Sequence, residues 1–205
     1  MRRATTALTL AIALRPDTGA AHAFQAGSGL YTQFLEGLTV TLTYPAILLC
    51  LLPMGLLAGV WRSGGLLSVW HWFIAAQVVG IFLAPLVPPE IYLATLSLGI
   101  VTAVLAALYP QPPRTVVITL AALTGLVATC AAFEGHALLE PPIAARAGVI
   151  LGANLALSVA AALPDSTLER WPYPWLRIGW RIAASWLAAI TVMVFAFELS
   201  PYLNP

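Results

Sequence analysis

Long apolar runs, separated by short polar stretches, are the main pattern along this chain. A membrane-spanning helix needs about 20 mostly apolar residues, and the runs are bounded by charge, glycine or proline, which cannot continue a helix from within. The six predicted spans are Leu38–Trp61, Leu66–Leu86, Ile91–Leu108, Thr115–Phe133, Ile143–Leu163 and Leu176–Phe197. The pattern therefore predicts an all-α fold, a polytopic bundle of six transmembrane helices.

The first residues follow a different pattern. Arg2 and Arg3 precede a short apolar stretch, residues 7–14, and small residues follow at 19–23. A charged start, a short apolar segment and a small-residue cleavage site are typical of a secretory signal peptide. We expect residues 1–21 to be this signal peptide, cut after Ala21 or Ala23, and residues 22–205 to form the membrane domain. If it is not cut, the stretch is a short seventh hydrophobic element.

Composition excludes several classes of protein. Of the 205 residues, 60% are hydrophobic and 8% are charged, against roughly 25% charged in a soluble domain. The net charge of +1 leaves no large basic surface for nucleic acid. Soluble enzymes, nucleic-acid binders and disordered chains are therefore excluded, and the lipid bilayer is the expected partner. Cys50 and Cys130 lie within apolar runs and are expected to be buried free thiols.

Charge is divided between two sets of loops, and every basic residue is an arginine. The loops after the first, third and fifth spans carry Arg62, Arg114, Arg170, Arg177 and Arg181, whereas the opposite side carries Glu36, Glu90, Glu134, Glu140 and Glu198. One arginine, Arg146, lies on the acidic side, at the start of the fifth span. Positive charge marks the cytoplasmic side, and six of the tryptophans cluster there as an interfacial belt would. The expected location is the bacterial inner membrane, with the mature N-terminus and the C-terminus in the periplasm.

Small residues at four-residue spacing predict where the helices pack, because close backbone approach drives helix association in lipid. Such series occur in the first span (Gly55, Gly59), the third (Thr95, Gly99, Ala103, Ala107) and the fifth (Gly148, Gly152, Ala156, Ala160). Pro45 and Pro53 of the first span free backbone carbonyls that must be satisfied inside the protein. Two interpretations stay open for these prolines: a kinked helix facing the bundle interior, or a break that lines a substrate path.

Polar residues within the spans are few. His71, Gln77 and Asn154 are the main ones, and polar groups inside a membrane are functional candidates by default. His71 is also placed to reach water or lipid headgroups, and Asn154 to bridge to a neighbouring helix. No serine, cysteine or carboxylate pair forms a recognisable catalytic arrangement, and no nucleophile has an adjacent base. The chain is therefore not expected to be an enzyme.

The acidic loops contain most of the candidate metal ligands. Residues 134–140 place Glu134, His136 and Glu140 within seven positions, and Glu36, Glu90 and His22 are expected on the same side. Imidazole and carboxylate ligands together suit a divalent transition metal. Acidic residues at helix starts also offset the helix dipole, which accounts for Glu36 and Glu90 without a ligand.

The order of these features resembles the HupE/UreJ family of hydrogenase and urease accessory membrane proteins. The matching features are Ala21-His22 at the end of the signal peptide, Pro88-Pro89-Glu90 before the third span, Gly135-His136-Ala137 with Glu140-Pro141 after the fourth, a glycine-bearing fifth span, and Arg177-Ile178-Gly179 in the sixth. The resemblance covers nearly the whole chain and implies a nickel or cobalt permease serving nickel enzymes. It implies a metal site drawn from His22, Glu36, Glu90, Glu134, His136 and Glu140.

The chain departs from the family pattern at several histidines. The family's first helix carries His-Pro-x-x-Gly-x-Asp-His, whereas this chain reads from Glu36 to Thr43 without histidine or aspartate. The family's His-Gly-x-Ala-His segment reads Glu134-Gly135-His136-Ala137-Leu138 here, with only the middle residue, His136, a histidine. A histidine of the fifth helix is replaced by Leu157. Two functions therefore remain: a divalent-metal permease, with Ni²⁺ or Co²⁺ as the transported ion, or a non-transporting structural or assembly subunit of a larger membrane complex.

Overall fold

The computed structural model describes residues 29–88, 90–138 and 140–203 of the chain. In this part of the chain all regular structure is helical: seven α-helices, and a short 3-10 helix at Ala84–Leu86 that extends the third. The α-helices are α1 (Leu30–Thr43), α2 (Pro45–Trp61), α3 (Gly65–Leu83), α4 (Ile91–Leu108), α5 (Arg114–Ala132), α6 (Ile143–Arg170) and α7 (Pro174–Leu203). The predicted signal peptide lies outside the described residues.

Five helices, α3 to α7, are long and apolar enough to cross a membrane, and the count reaches six if α1 and α2 form one span. This confirms the prediction of an all-α, membrane-type helical bundle. Helix α6 continues through Pro164 to Arg170, beyond the predicted end at Leu163. Helix α7 likewise runs past Phe197 to Leu203.

The first predicted span is broken at Tyr44. Helices α1 and α2 meet there at an angle of 71°, and Tyr44 has an extended backbone with φ −78° and ψ 112°. A following proline favours this extended conformation in the residue before it. Pro53 lies inside α2 without ending it. Of the two prolines, therefore, only Pro45 interrupts the helix.

Helix α6 packs against both halves of the broken span. A Cβ atom added at Gly148 would overlap the Phe34 carbonyl of α1, and one at Gly55 would lie 2.6 Å from the Leu157 carbonyl oxygen. A Cβ atom added at Gly59 would come closer still to the Ala161 carbonyl oxygen. The predicted small-residue series therefore lie at real helix contacts, where a larger side chain would push the backbones apart.

The carbonyl freed by Pro53 is covered by another glycine. Pro53 has no N–H for the Leu49 carbonyl four residues earlier, and Gly99 of α4 packs on that oxygen, so that an added Cβ would stand 2.5 Å away. Contacts between a Cα–H and a carbonyl contribute about 0.5–1 kcal/mol each. Gly99, a member of the small-residue series predicted in the third span, thus shields the Leu49 carbonyl, which lipid could not hydrogen-bond.

The two cysteines are buried and free, as predicted. Cys50 lies in α2 and is fully buried. Cys130 lies in α5, and its thiol is 3.6 Å from the Gly80 carbonyl oxygen of α3, to which it donates. Both thiols therefore pack as small apolar groups.

The bundle has two chemically different ends. At one, Trp61 Nε1 donates to the Pro112 carbonyl oxygen at 2.9 Å, and Arg181 Nε donates to the Ala107 carbonyl oxygen at 2.7 Å. We call this the arginine end, because Arg62, Arg114 and Arg177 also lie there. The other, the acidic end, carries Glu90, Glu134 and Glu198.

Candidate functional site

Three side chains form a hydrogen-bonded chain within the bundle. Trp70 Nε1 donates to Asn154 Oδ1 at 2.6 Å, and Asn154 Nδ2 donates to Gln77 Oε1 at 2.8 Å and to the Ile150 carbonyl oxygen at 2.8 Å. Asn154 therefore bridges α6 to α3. His71, by contrast, is exposed on α3, with its ring 5.3 Å from that of Trp72.

Gln77 is fully buried, and its Nε2 has no hydrogen-bond partner among the described residues. An unpaired amide donor inside a bundle costs about 1–3 kcal/mol. The side-chain amide of Asn154 thus has hydrogen-bond partners for both its oxygen and its nitrogen, whereas the amide nitrogen of Gln77 has none among the described residues. A bridge between two spans accounts for Asn154, and nothing in it requires a ligand.

At the acidic end, a tight turn follows α5 and orients His136. Gly135 has φ +76°, a left-handed conformation that favours glycine. The turn lets the His136 backbone N–H donate to the Phe133 carbonyl oxygen at 3.2 Å. His136 Nδ1 lies 2.9 Å from the Glu134 carbonyl oxygen. Since a carbonyl oxygen can only accept, Nδ1 is the donor, and in a neutral ring the lone pair would then be on Nε2. Metal-binding histidines are commonly held by such a hydrogen bond.

The rest of this loop is tied to the start of α6. Glu140 Oε2 accepts the Ala137 backbone N–H at 2.9 Å. Arg146, the arginine that departs from the charge division, donates to the Leu138 carbonyl oxygen. Arg146 therefore braces the acidic loop, and its position on this side has a structural explanation.

Glu134 stands out among the carboxylates. The pKa of its carboxyl is raised above the ordinary value, first by partial burial and second by the nearby negative charge of Glu90. Glu134 and Glu198 also both lie close enough to Tyr44 to act on its phenol electrostatically. The break between α1 and α2 therefore has carboxylates from two other parts of the chain nearby, the loop after α5 and helix α7.

The six predicted metal ligands are only partly brought together. Glu90 and Glu134 interact, His136 and Glu140 occupy the same loop, and Glu36 lies on α1 next to Gly37, which packs on the Ala145 backbone of α6. His22 lies outside the described residues. Within the described residues, no group of three or more His, Cys, Asp or Glu is arranged to hold a metal ion. The metal site stays a prediction.

Two residues of this end were missed by sequence reasoning. Tyr44 lay inside an apolar run, although the Tyr-Pro pair is a signal for an extended break. Glu198 was assigned to the acidic side but not to the site, because only the packing of α7 brings it to Tyr44. Comparison of the chain with protein-family models, with curated proteins and with solved structures found no match.

Proposed function

We propose that this chain is a divalent-metal permease of the HupE/UreJ type, moving Ni²⁺ or Co²⁺ across a bacterial inner membrane. In this proposal α1 and α2 count as one of six spans, and the acidic end faces the periplasm. The cation enters at the acidic end, where Glu90, Glu134 and His136 supply its first ligands.

The interaction of Glu90 with Glu134 beside the broken span carries the proposal. The negative charge of Glu90 disfavours ionisation of Glu134, and a divalent cation bound between the two carboxylates would cancel their repulsion. Broken spans in transporters expose backbone carbonyls near the ion path, and Tyr44 marks such a break. A set rich in oxygen and poor in nitrogen binds nickel less tightly than imidazoles would. Weak binding suits passage, because an ion must also leave the site.

Metal accumulation in cells tests the permease. Cells expressing the Glu90→Gln, Glu134→Gln double variant should accumulate no more radioactive Ni²⁺ or Co²⁺ than cells without the protein, because the neutral amides keep the shape and remove the charge. The Ser97→Ala variant is the control: Ser97 lies on α4 and bonds only to its own helix, so uptake should match the unchanged protein. Equal membrane levels are verified by an epitope tag. Undiminished uptake in the double variant would contradict the permease.

One observation favours the alternative, a subunit of a larger membrane complex. Trp186 lies in the middle of α7 and is 69% exposed, and no described residue accepts its indole N–H. Tryptophan in spans usually sits at the interface, since hydrocarbon offers no acceptor. A neighbouring protein helix would supply both an acceptor and a packing surface.

A further inference from the structure

The arginine end contains a cavity that the metal proposal does not use. Its volume is about 290 Å³, and it lies between the ends of α2 and α6, the start of α7 and the two loops beside them. Its polar lining consists of Arg62, Ser63, Gln111, Asp165, Glu169 and Arg177. The cavity is near the lower end of the range of about 300–1,000 Å³ for small-molecule sites.

The charges around this cavity are balanced but not paired. Two guanidinium groups and two carboxylates line it, and no ion pair joins them in the part of the chain that the structure describes. Arg62 instead lies over the Trp61 ring, 4.3 Å from its centroid. Asp165 Oδ2 accepts the Gly64 backbone N–H at 3.3 Å. Arg62 and Asp165 are thus each held by a different neighbour, and neither is drawn to the other.

The local backbone explains this separation. Gly64 has φ +63°, which turns its N–H toward Asp165 and ends the loop after Arg62. Gly65 then packs on the Ala58 carbonyl, which fixes the loop against α2. On the other side, Pro164 lies inside α6 and contacts Gly59, so the carboxylates that follow it keep a constant position.

The cavity lies at the level of lipid headgroups. Helix α6 has 28 residues, or about 42 Å at 1.5 Å per residue, against about 30 Å for the hydrocarbon core. Its polar last turns, with Asp165 and Glu169, therefore extend beyond the hydrocarbon. Trp61 and the exposed Trp175 mark the same level, as interfacial tryptophans do.

We propose that this cavity binds a zwitterion that carries a phosphate and a primary ammonium group, the chemistry of a phosphatidylethanolamine headgroup. Arg62 and Arg177 bind the phosphate, and Asp165 and Glu169 bind the ammonium, with Ser63 and Gln111 as hydrogen-bonding neighbours. A simple anion would face two carboxylates and a simple cation two guanidinium groups. Only a ligand with both charges satisfies all four side chains.

Binding to the purified full-length protein in detergent tests this proposal. The probes are short-chain phosphatidylethanolamine, short-chain phosphatidylglycerol, which has the phosphate but no ammonium, and water-soluble phosphoethanolamine. Calorimetry should show phosphatidylethanolamine binding at least about tenfold tighter than phosphatidylglycerol, a difference of about 1.4 kcal/mol. Phosphoethanolamine binding as tightly as the lipid would identify a soluble ligand, and weaker binding would identify the lipid. Equal affinity for the two lipids would overturn the proposal.

Variants separate specific binding from loss of fold. In the Asp165→Asn, Glu169→Gln double variant, phosphatidylethanolamine should bind at least about tenfold more weakly while phosphatidylglycerol binds more tightly, because the carboxylates no longer repel an anion. A damaged fold would not improve binding of any lipid. Arg177→Gln should weaken both lipids. Unchanged selectivity in the carboxylate variant would contradict the site, and none of these results depends on metal transport.

Discussion

Glu134 and Glu140 are the same residue type in one loop, yet their surroundings differ. Glu140 is exposed and accepts a backbone N–H from Ala137. Glu134 is half-buried and faces Glu90, and both effects raise the pKa of its carboxyl. Of the two, Glu134 is therefore the carboxylate whose charge is costly in the folded protein and whose binding of a cation is most coupled to proton release.

The raised pKa of Glu134 predicts how stability depends on pH. The folded protein binds more protons than the unfolded chain as pH rises from the ordinary pKa of 4.5 to the raised value, so Glu134 lowers stability progressively across that window and fully above it. Glu134→Gln removes this loss. The variant should melt at a higher temperature than the unchanged protein at neutral pH, with the difference shrinking in acid.

Thermal unfolding in detergent, followed by circular dichroism from acidic to neutral pH, measures the effect. Glu140→Gln is the control, since its carboxylate is exposed and keeps a hydrogen bond, and it should give no gain at neutral pH. A Glu134→Gln variant that is no more stable than Glu140→Gln at neutral pH would show that burial and Glu90 do not act on Glu134.

At the scale of single residues, the sequence indicated which polar residues matter but not which residues they contact. Asn154 and the acidic loop could be singled out because polar groups are rare in such a chain. That Asn154 bonds to Trp70 and Gln77 could not be predicted, because it depends on the rotation of α3 relative to α6. The interaction of Glu90 with Glu134 likewise depends on which helix ends become neighbours.

At the scale of elements, glycine determines how close the helices come. Gly55 of α2 lies against the α6 backbone, whereas Gly179 of α7 has open space around it. Glycine in lipid-buried seams allows backbone contact that no other residue permits. The same substitution at these two positions should therefore have different consequences.

Gly55→Leu should destabilise the bundle, because the side chain has to displace the Leu157 carbonyl or Ala160. Overpacking of this kind costs about 1–3 kcal/mol, occasionally more. Gly179→Leu adds the same atoms to an exposed position and should leave the unfolding temperature nearly unchanged. Thermal unfolding and gel-filtration profiles of the two variants measure this contrast, and similar losses for both would argue against the α2–α6 seam.

The spans were predictable as elements, and the break was not. Proline and charge at the ends of apolar runs located α3, α4 and α5 to within a few residues, since these helices have no alternative boundaries. Pro45 and Pro53 have the same local chemistry, yet only Pro45 breaks the chain. At Pro53 the freed Leu49 carbonyl is covered by Gly99 of α4, a tertiary contact that the local sequence does not reveal.

At the scale of the molecule, helix α7 is peripheral. In its most apolar 18-residue stretch, 11% of the residues are buried, against 56% for α5. Its large apolar side chains face outward along most of its length, with Trp186 in the middle. This surface faces either lipid or another protein. A protein partner on it would favour the subunit alternative over the permease.

The subunit alternative predicts a stoichiometric partner chain after purification in mild detergent. Trp186→Ala should release this partner, because it removes both the indole N–H and much of the contact area. Trp175→Ala, at an exposed tryptophan near the end of the same helix, should retain it. Recovery of the protein alone, or as a simple homo-oligomer, would contradict the alternative.

The division of charge was the whole-molecule feature most accessible from sequence. Apart from Arg146 and Glu169, arginine and glutamate alternate between successive loops, and a chain that crosses a membrane repeatedly places successive loops at opposite ends. The pattern could not predict which residues of each end lie next to one another. The cavity at the arginine end needs Gln111 from one loop and Asp165 from another helix, and no local signal links them.

The seam between the broken span and α6 also sets an order of assembly during synthesis. Thr41 donates to the Val149 carbonyl oxygen across 108 positions of sequence, and proteins form from the N-terminus as they leave the ribosome. Helices α1 and α2 must therefore wait, with their glycine surfaces in contact with lipid or a chaperone, until α6 has been made. During that interval the uncovered glycine surfaces make the newly made chain most vulnerable to premature association. Packing of α6 against α1 and α2 covers these surfaces.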